Sequence, residues 1–347
     1  TARSALTPRA RPGETAVEYA LVGDTLLAWT LAAGPPRVAR TVIDTLRLVR
    51  TLESLESALE EGAEETAVRP ALARLYEWLV RPVADRLGPR AGPLVLVADG
   101  DLAAVPFAAL YDARRGRYLV EDHPLRFAVS LAEAARPPPA ESAREAVFVA
   151  NPAFDRRLNP LLDRLDSAGA EVERIAGEYP ERRVIEGRGA TRGAVTDALK
   201  GAGLVHFAGH AAFDDARPER SYLVLAPSPG DPAGRLTAAE LARIDLHRTR
   251  LVVLSACRTT RTGRSRAAGY TGLSGALLAA GAAGTIGSTW DVDDASTSAL
   301  MAAFHGAYRR GMGAPAALRA AQLRLLGSHD PRLRTPAAWA GFRYAGR

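Results

Sequence analysis

The chain contains few of the residues that mark disulfide-rich, membrane or secreted proteins. Among its 347 residues there are one cysteine, Cys257, two methionines and one lysine, Lys200. A single cysteine excludes an internal disulfide, so we expect a cytoplasmic protein whose stability comes from packing. No apolar stretch approaches the roughly 18 residues that span a bilayer, and the N-terminus lacks a signal-peptide core. The sequence therefore indicates neither membrane insertion nor secretion.

Length and charge narrow the class further. At about 150 residues per domain the chain is long enough for two domains, and a hydrophobic content of 47% is typical of a folded, soluble protein. The formal charge of +6 is spread along the chain rather than collected in basic blocks, so we expect no nucleic-acid partner. Because the chain starts without methionine, we also expect it to be a fragment of a longer protein.

The pattern of apolar residues in the first third predicts a small sheet edge, two helices and a buried strand. Residues 16–22 and 25–31 alternate as in a hairpin, amphipathic helices follow at 42–60 and 65–87, and residues 94–98 form a short apolar run. Three successive prolines at 137–139 cannot continue a helix or a central strand. We therefore predict two domains, residues 1–140 and 141–347.

Beyond the prolines, predicted strands and helices alternate regularly. The strands are at 146–150, 183–186, 204–207, 222–225, 251–255 and 284–288, and the helices at 161–178, 192–200, 237–242, 272–280, 295–309 and 315–326. Such alternation requires right-handed crossovers, and it predicts an α/β fold with a mainly parallel sheet and helices on both faces.

Two reactive side chains follow strands of this predicted sheet. His210 comes just after the strand at 204–207, and Cys257 comes just after the strand at 251–255. Functional groups gather beyond the carboxyl ends of parallel strands, and a thiol becomes a strong nucleophile when a nearby imidazole accepts its proton. The two residues are 47 apart, close to the roughly 50 that separate the caspase pair. The pattern predicts nucleophilic catalysis by Cys257 and His210.

The same residues allow other interpretations. A lone cysteine is among the most buried residue types and is usually an inert apolar group. His206 lies on the same strand face as His210 and fits a core histidine or one that supports the site. His206, His210 and Cys257 could ligate zinc, but that site would need a fourth ligand and there is no second cysteine. We therefore expect no metal and no cofactor.

Several motifs occur in a fixed order along the chain. They are His-Phe-Ala-Gly-His-Ala at 206–211, Leu-Ser-Ala-Cys-Arg-Thr at 254–259, and the segments 75–82, 98–110, 287–294, 313–326 and 336–342. Together they resemble the CHAT-domain proteins, a bacterial branch of the caspase-like cysteine peptidases related to separase. The resemblance covers nearly the whole chain and favours a nucleophilic Cys257. It implies a caspase-like three-layer sandwich, in which an N-terminal pseudo-caspase domain packs against a C-terminal active domain.

The resemblance also implies roles for individual groups. Cys257 would be the nucleophile and His210 the general base and acid, and the backbone N–H groups of Cys257 and Ala211 would hold the oxyanion. Many relatives have glycine after the histidine, where this chain has Ala211. Preorganised donors of this kind are typically worth a few kcal/mol of the barrier each.

The resemblance indicates where substrate would bind. Acidic groups in the corresponding separase segment favour cleavage after arginine, so Asp291, Asp293 and Asp294 are candidates to bind a basic side chain. An equally good interpretation of any one of them is the cap of the helix predicted near residue 295. The loop at 258–266 carries four arginines, and it is either a solvated surface loop or a site of self-processing.

We therefore expect a cysteine endopeptidase that forms a thioester with a polypeptide substrate. The resemblance further implies control by an upstream repeat or sensor region or by a partner protein, and a target such as a gasdermin-like effector in bacterial defence. A catalytically silent caspase-like scaffold for protein–protein interaction is the alternative, and a zinc hydrolase is a third hypothesis.

Overall fold

A computed structural model of the chain describes residues 10–32, 34–88, 92–137, 143–160, 162, 165–214, 216–256, 259 and 272–347. Cys257, and the loop at 258–266 apart from Thr259, lie outside the described residues. The strands are β1 Thr15–Val22, β2 Thr25–Leu31, β3 Arg37–Val42, β4 Leu94–Val97, β5 Tyr111–Asp112, β6 Arg117–Tyr118, β7 Leu125–Phe127, β8 Ala146–Ala150, β9 Arg182–Glu186, β10 Leu204–Ala208, β11 Ala211–Ala212, β12 Tyr222–Val224, β13 Arg235–Thr237, β14 Leu251–Ser255, β15 Gly284–Ser288 and β16 Phe342–Gly346.

Most helices lie close to their predicted positions. None of those in the described ranges has the length and apolar composition needed to cross a bilayer. The helices are α1 Thr45–Glu60, α2 Glu65–Leu79, α3 Leu119–Asp122, α4 Leu131–Ala135, α5 Asp166–Ala176, α6 Arg192–Leu199, α7 Ala238–Leu241, α8 Gly272–Ala279, α9 Asp294–Arg309, α10 Ala314–Leu326, α11 Pro331–Arg334 and α12 Pro336–Trp339.

One sheet of eleven strands runs through the molecule, in the order β3-β2-β1-β4-β7-β16-β15-β14-β10-β8-β9. Its pairs are parallel except for β1–β2, β2–β3 and β15–β16, so the prediction of an α/β fold with a mainly parallel sheet is confirmed. The predicted hairpin, β1 and β2, forms, and β3 pairs with β2 to make the edge of the sheet. The last strand, β16, joins β7 of the first half to β15 of the second half. The domain boundary near residue 140 stays a prediction.

The structure departs from the sequence prediction at residues 222–225. This segment does form a strand, β12, but it pairs antiparallel with β11 and β13 in a separate three-stranded sheet. Its apolar character reflects burial rather than membership of the large sheet. The first strand of this small sheet, β11, begins at the residue directly after His210. The small sheet is therefore part of the candidate site.

Alternate residues of the central strands face two different helix layers. In β8, Val147 and Val149 belong to one buried cluster with residues of α6, α7 and α8, while Phe148 belongs to a second cluster with residues of α1, α2, α5, α9 and α10. Both clusters bury aliphatic and aromatic side chains, which is the dominant favourable contribution to folding. The helices therefore cover both faces of the sheet, and the predicted three-layer sandwich is confirmed.

A chain of hydrogen-bonded polar side chains crosses the second of these clusters. His206 in β10 is fully buried, and its Nε2 lies 2.8 Å from Oε1 of Glu171 in α5. Its Nδ1 lies 3.1 Å from Nε2 of His305 in α9. His305 Nδ1 in turn lies 2.7 Å from the hydroxyl of Tyr179. The chain ties α5, α9 and β10 together, and the interpretation of His206 as a core histidine is confirmed.

Burial and the neighbouring His206 hold the pKa of His305 well below its ordinary value. A neutral imidazole donates from one nitrogen and accepts at the other. Glu171 accepts from His206 Nε2, His206 Nδ1 and His305 Nε2 share one hydrogen bond, and His305 Nδ1 and the Tyr179 hydroxyl share another. Every polar atom along this path then has a partner, which removes the usual penalty for burying them.

The depressed pKa of His305 makes stability depend on pH. The unfolded chain takes up a proton at this residue below its ordinary pKa of about 6.5, whereas the folded chain does not. The free energy of unfolding should therefore fall as the pH drops below about 6.5, by up to about 1.4 kcal/mol per pH unit for this proton. Urea unfolding between pH 5 and 7.5 measures the slope. In the His305→Gln variant this slope should be smaller by the contribution of one proton. The control variant His329→Gln, at an exposed histidine, should keep the wild-type slope. Equal slopes in wild type and His305→Gln would contradict the assignment.

Candidate active site

The carboxyl ends of β10 and β14 lie side by side. The two strands are parallel, and their register pairs Ala208 with Ser255. Gly209 N–H extends the contact by donating to Ser255 O at 3.3 Å. His210 and Cys257 each come two residues after a member of this pair. The described residues thus place His210 at the sheet edge where β14 ends and the segment leading to Cys257 begins.

His210 is partly exposed and packs against an aromatic side chain from the connection after β8. The Phe154 ring meets the imidazole edge-on, with ring centroids 5.2 Å apart and planes at 88°. Asn151, the first residue after β8, has a φ of 39°, a backbone conformation that non-glycine residues rarely adopt. A Cβ at Gly209 would lie 2.8 Å from the Phe207 ring, so the residue before the histidine has no room for a side chain. Tight packing fixes the backbone that carries His210.

The described residues on either side of Cys257 are held by one serine at the end of β15. Ser288 Oγ donates to Ala256 O at 2.9 Å, and Ser288 N–H donates to Thr259 Oγ1 at 3.1 Å. Thr259 Oγ1 also donates to Ala256 O at 3.4 Å. This role of Ser288 was not predicted from the sequence. In the sequence Ser288 is only a polar residue at the end of a strand of small residues. Nothing in the pattern indicates a contact with Ala256, 32 positions away.

Strand pairing orients the backbone of Ala211. Val224 N–H donates to His210 O at 2.9 Å, and the register pairs Ala211 with Leu223. Hydrogen-bonded and non-hydrogen-bonded pairs alternate in an antiparallel ladder, and this bond makes Ala211–Leu223 a non-hydrogen-bonded pair. The Ala211 N–H therefore points away from the small sheet.

The three acidic residues after β15 have different surroundings. Asp293 caps α9, since its Oδ2 accepts from Ser296 N–H at 2.9 Å, as one of the two interpretations predicted. Asp294 Oδ2 accepts from Ser167 N–H at 3.0 Å and so anchors the start of α5. Asp291 is exposed and lines a cavity.

That cavity has a volume of about 410 Å³ and lies where the α1–α2 connection meets the start of α9 and helices α11 and α12. Carboxylates dominate its charged lining. Its acidic residues are Glu60, Glu64, Asp291, Asp293 and Asp330. Arg332 also lines it and forms an ion pair with Asp330 at 2.8 Å. Counted as formal charges, five carboxylates and one guanidinium group line this cavity, which suits a cationic side chain.

The described residues contain no group of three or more histidine, cysteine, aspartate or glutamate side chains arranged to hold a metal ion. His206, one ligand of the zinc hypothesis, uses both ring nitrogens in hydrogen bonds to Glu171 and His305. A metal would have to displace one of these buried bonds.

Solved structures of two cysteine proteases share the fold. Separase, in the Saccharomyces cerevisiae separase–securin complex, is similar with a TM-score of 0.61 and 9% identity, over 96% of this chain and 30% of that one. The Arg-specific cysteine proteinase gingipain R is similar with a TM-score of 0.51 and 10% identity, over 85% of this chain and 73% of that one. At these identities the likeness shows the fold alone.

Sequence comparison finds two curated relatives. Tetratricopeptide repeat protein 28 of Mus musculus is 29% identical over 345 residues, and the Homo sapiens protein of the same name is 27% identical over 341 residues. Each alignment covers 82% of this chain but 13% of the relative, so the chain spans a small part of the length of these proteins.

A family model of the CHAT domain matches residues 69–347, which takes in all the strands and helices around His210. This match agrees with the three-layer architecture and with the similarity to two caspase-like proteases. The chain belongs to the CHAT-domain family.

Proposed function

We propose that the protein is a cysteine endopeptidase in which Cys257 is the nucleophile and His210 the general base and acid. The observation that carries this proposal is the register of β10 and β14, which pairs Ala208 with Ser255. His210 and Cys257 each come two residues after this pair along the chain. Neighbouring strands are about 4.8 Å apart. The proposal is that side chains which follow two strand ends at this spacing share a proton.

The chemistry would proceed in two stages. His210 takes the proton of the Cys257 thiol, and the thiolate adds to the carbonyl carbon of the scissile peptide bond. The N–H groups of Ala211 and Cys257 would stabilise the oxyanion; the direction of the Ala211 N–H, away from the small sheet, supports this role. The C–N bond breaks as His210 protonates the leaving amine, leaving a thioester. Water, deprotonated by His210, then hydrolyses the thioester to a carboxylate and restores the thiol.

The acidic cavity supports a preference for a basic residue before the cleaved bond. Asp291 lines it and follows β15, which pairs with β14. Of the three predicted pocket residues, Asp291 and Asp293 line this cavity, and Asp293 also caps α9, so we choose Asp291 as the residue to test. An arginine or lysine side chain would enter with its charge opposed to the cavity's excess carboxylates.

Control by a repeat region or partner protein is also part of this proposal. The curated relatives carry tetratricopeptide repeats in their name and are much longer than the matched segment. A domain that occupies so small a share of its relatives commonly works with neighbouring regions. A gasdermin-like target, a role in bacterial defence and a cytoplasmic location stay predictions.

Loss of the nucleophile should abolish cleavage. A proteome digest with the wild-type protein, read by mass spectrometry of new peptide N-termini, should give cleavage products that are absent with Cys257→Ala. His210→Ala should lower the rate by at least about 1,000-fold, as removal of a catalytic base does in related chemistry. His329→Ala, a change at an exposed histidine, is the matched control and should retain full activity. Circular dichroism checks that each variant is folded.

Cleavage retained by folded Cys257→Ala would eliminate the proposal. If neither the wild-type protein nor any variant cleaves, the result favours the silent scaffold.

Removal of the Asp291 charge should change specificity. Asp291→Asn should lower kcat/KM for peptides with arginine before the cut by about tenfold, equivalent to about 1.4 kcal/mol, and leave peptides with an uncharged residue there unaffected. Asp197→Asn in α6 removes an equal charge from an exposed position outside this cavity and should change neither class of peptide. An equal loss for both peptide classes in Asp291→Asn would argue against charge recognition.

A further inference from the structure

A second cavity lies at the amino ends of the sheet strands, opposite the candidate active site at their carboxyl ends. It has a volume of about 630 Å³, within the roughly 300–1,000 Å³ typical of small-molecule sites. Ala146 and Leu204, the first residues of β8 and β10, form part of its wall, together with Tyr179 and Tyr308. It therefore opens at the amino ends of β8 and β10, and Arg250 directly precedes β14. The predicted dyad follows the opposite, carboxyl ends of β10 and β14.

The charged side chains of this cavity are almost all arginines. We call it the arginine pocket; its charged lining residues are Arg144, Arg248, Arg250, Arg309 and Glu181. Four positive groups against one negative group leave an excess of three charges. Within the described part of the chain, no carboxylate forms an ion pair with any of the four guanidinium groups. Clustered arginines repel one another, so an unbalanced group of this size favours an anion between them.

Backbone hydrogen bonds fix the main chain at two of the arginines, Arg248 and Arg250. Arg250 N–H donates to Gly203 O at 2.8 Å, and Arg248 O accepts from Ala143 N–H at 3.1 Å. Gly203 has no room for a side chain, since a Cβ there would lie 1.7 Å from Ala143 O. The segment before β14 is thus packed tightly against the start of β10. Ligand binding would therefore order the exposed arginine side chains but not the backbone that carries Arg248 and Arg250.

The fourth arginine comes from a helix end. Arg309 lies in the last turn of α9, and its guanidinium carbon is 5.0 Å from the centroid of the Tyr179 ring. Stacking on an aromatic ring restrains a guanidinium group while leaving its N–H donors free for other bonds. Tyr179 therefore helps to position Arg309. Arg250 lies near Tyr308. Burial raises the pKa of the Tyr308 hydroxyl, and the positive charge of Arg250 opposes that rise.

We propose that the arginine pocket binds a small molecule that carries two or more linked phosphate groups. Guanidinium groups match phosphate oxygens with paired N–H donors, and several of them are needed to balance a polyphosphate. The ligand could be a nucleotide or a bare polyphosphate chain, which share the chemistry that the pocket recognises.

Binding can be measured without any assay of peptidase activity. Isothermal titration of the full chain with sodium tripolyphosphate and, separately, with adenosine triphosphate tests the pocket and distinguishes the two sources. The test variant is Arg248→Gln/Arg250→Gln/Arg309→Gln, which reduces the formal charge from +6 to +3. The control is Arg174→Gln/Arg243→Gln/Arg324→Gln, three exposed arginines outside the pocket, with the same reduction from +6 to +3. Arg324 matches Arg309 because each lies in the last turn of its helix.

We expect saturable one-to-one binding that is at least about tenfold weaker in the test variant and within about twofold of wild type in the control. Tighter binding of adenosine triphosphate would assign a nucleotide, and equal binding would assign the phosphate chain itself. If the test variant fails to fold, Arg250→Gln alone should still weaken binding several-fold. Hexaglutamate is titrated in the same way to represent an acidic peptide. The proposal would be overturned by a lack of saturable binding, by an equal loss in both triple variants, or by tighter binding of hexaglutamate than of tripolyphosphate.

Discussion

The pairing of β10 with β14 is the constraint on which the rest of the site depends. Ala208 lies opposite Ser255, and both strands leave the sheet at that level. Register in a parallel pair is set by backbone hydrogen bonds, and a shift by one residue would turn every side chain to the other face. The proposed meeting of His210 and Cys257 thus follows from the backbone rather than from long, adaptable side chains. Ser288 and the small sheet then orient the groups around that point.

The sheet separates two cavities of opposite charge. The acidic cavity lies at the carboxyl ends of the strands, where the proposed dyad is located. The arginine pocket lies at their amino ends. Between them, the buried chain of Glu171, His206, His305 and Tyr179 connects α5, β10 and α9. Tyr179 belongs both to this chain and to the wall of the arginine pocket. A single folded core therefore supports a proposed peptide site and a proposed polyphosphate site.

Local patterns predicted much of this structure, and long-range pairing explains what they could not. Strands 146–150 and 251–255 were recognisable because strands buried on both faces are wholly apolar. The final strand, Phe342–Gly346, was missed because its partners are fixed only by tertiary structure. His210 was predicted from its place after a strand, and a helix cap at one of Asp291, Asp293 and Asp294 was one of two interpretations of their place before a helix. The bonds from Ser288 cross between strands, so no spacing in the sequence reveals them.

Alkylation of the single thiol tests the central claim most directly. Because Cys257 is the only cysteine, intact-mass measurement of iodoacetamide uptake reports on that residue alone. In the wild-type protein an adjacent His210 should keep the thiol reactive well below pH 8.5, the ordinary pKa of about 8.5 being lowered by the imidazolium. In His210→Ala the rate should rise only as the pH approaches about 8.5. Identical pH–rate curves for the two proteins would contradict the account.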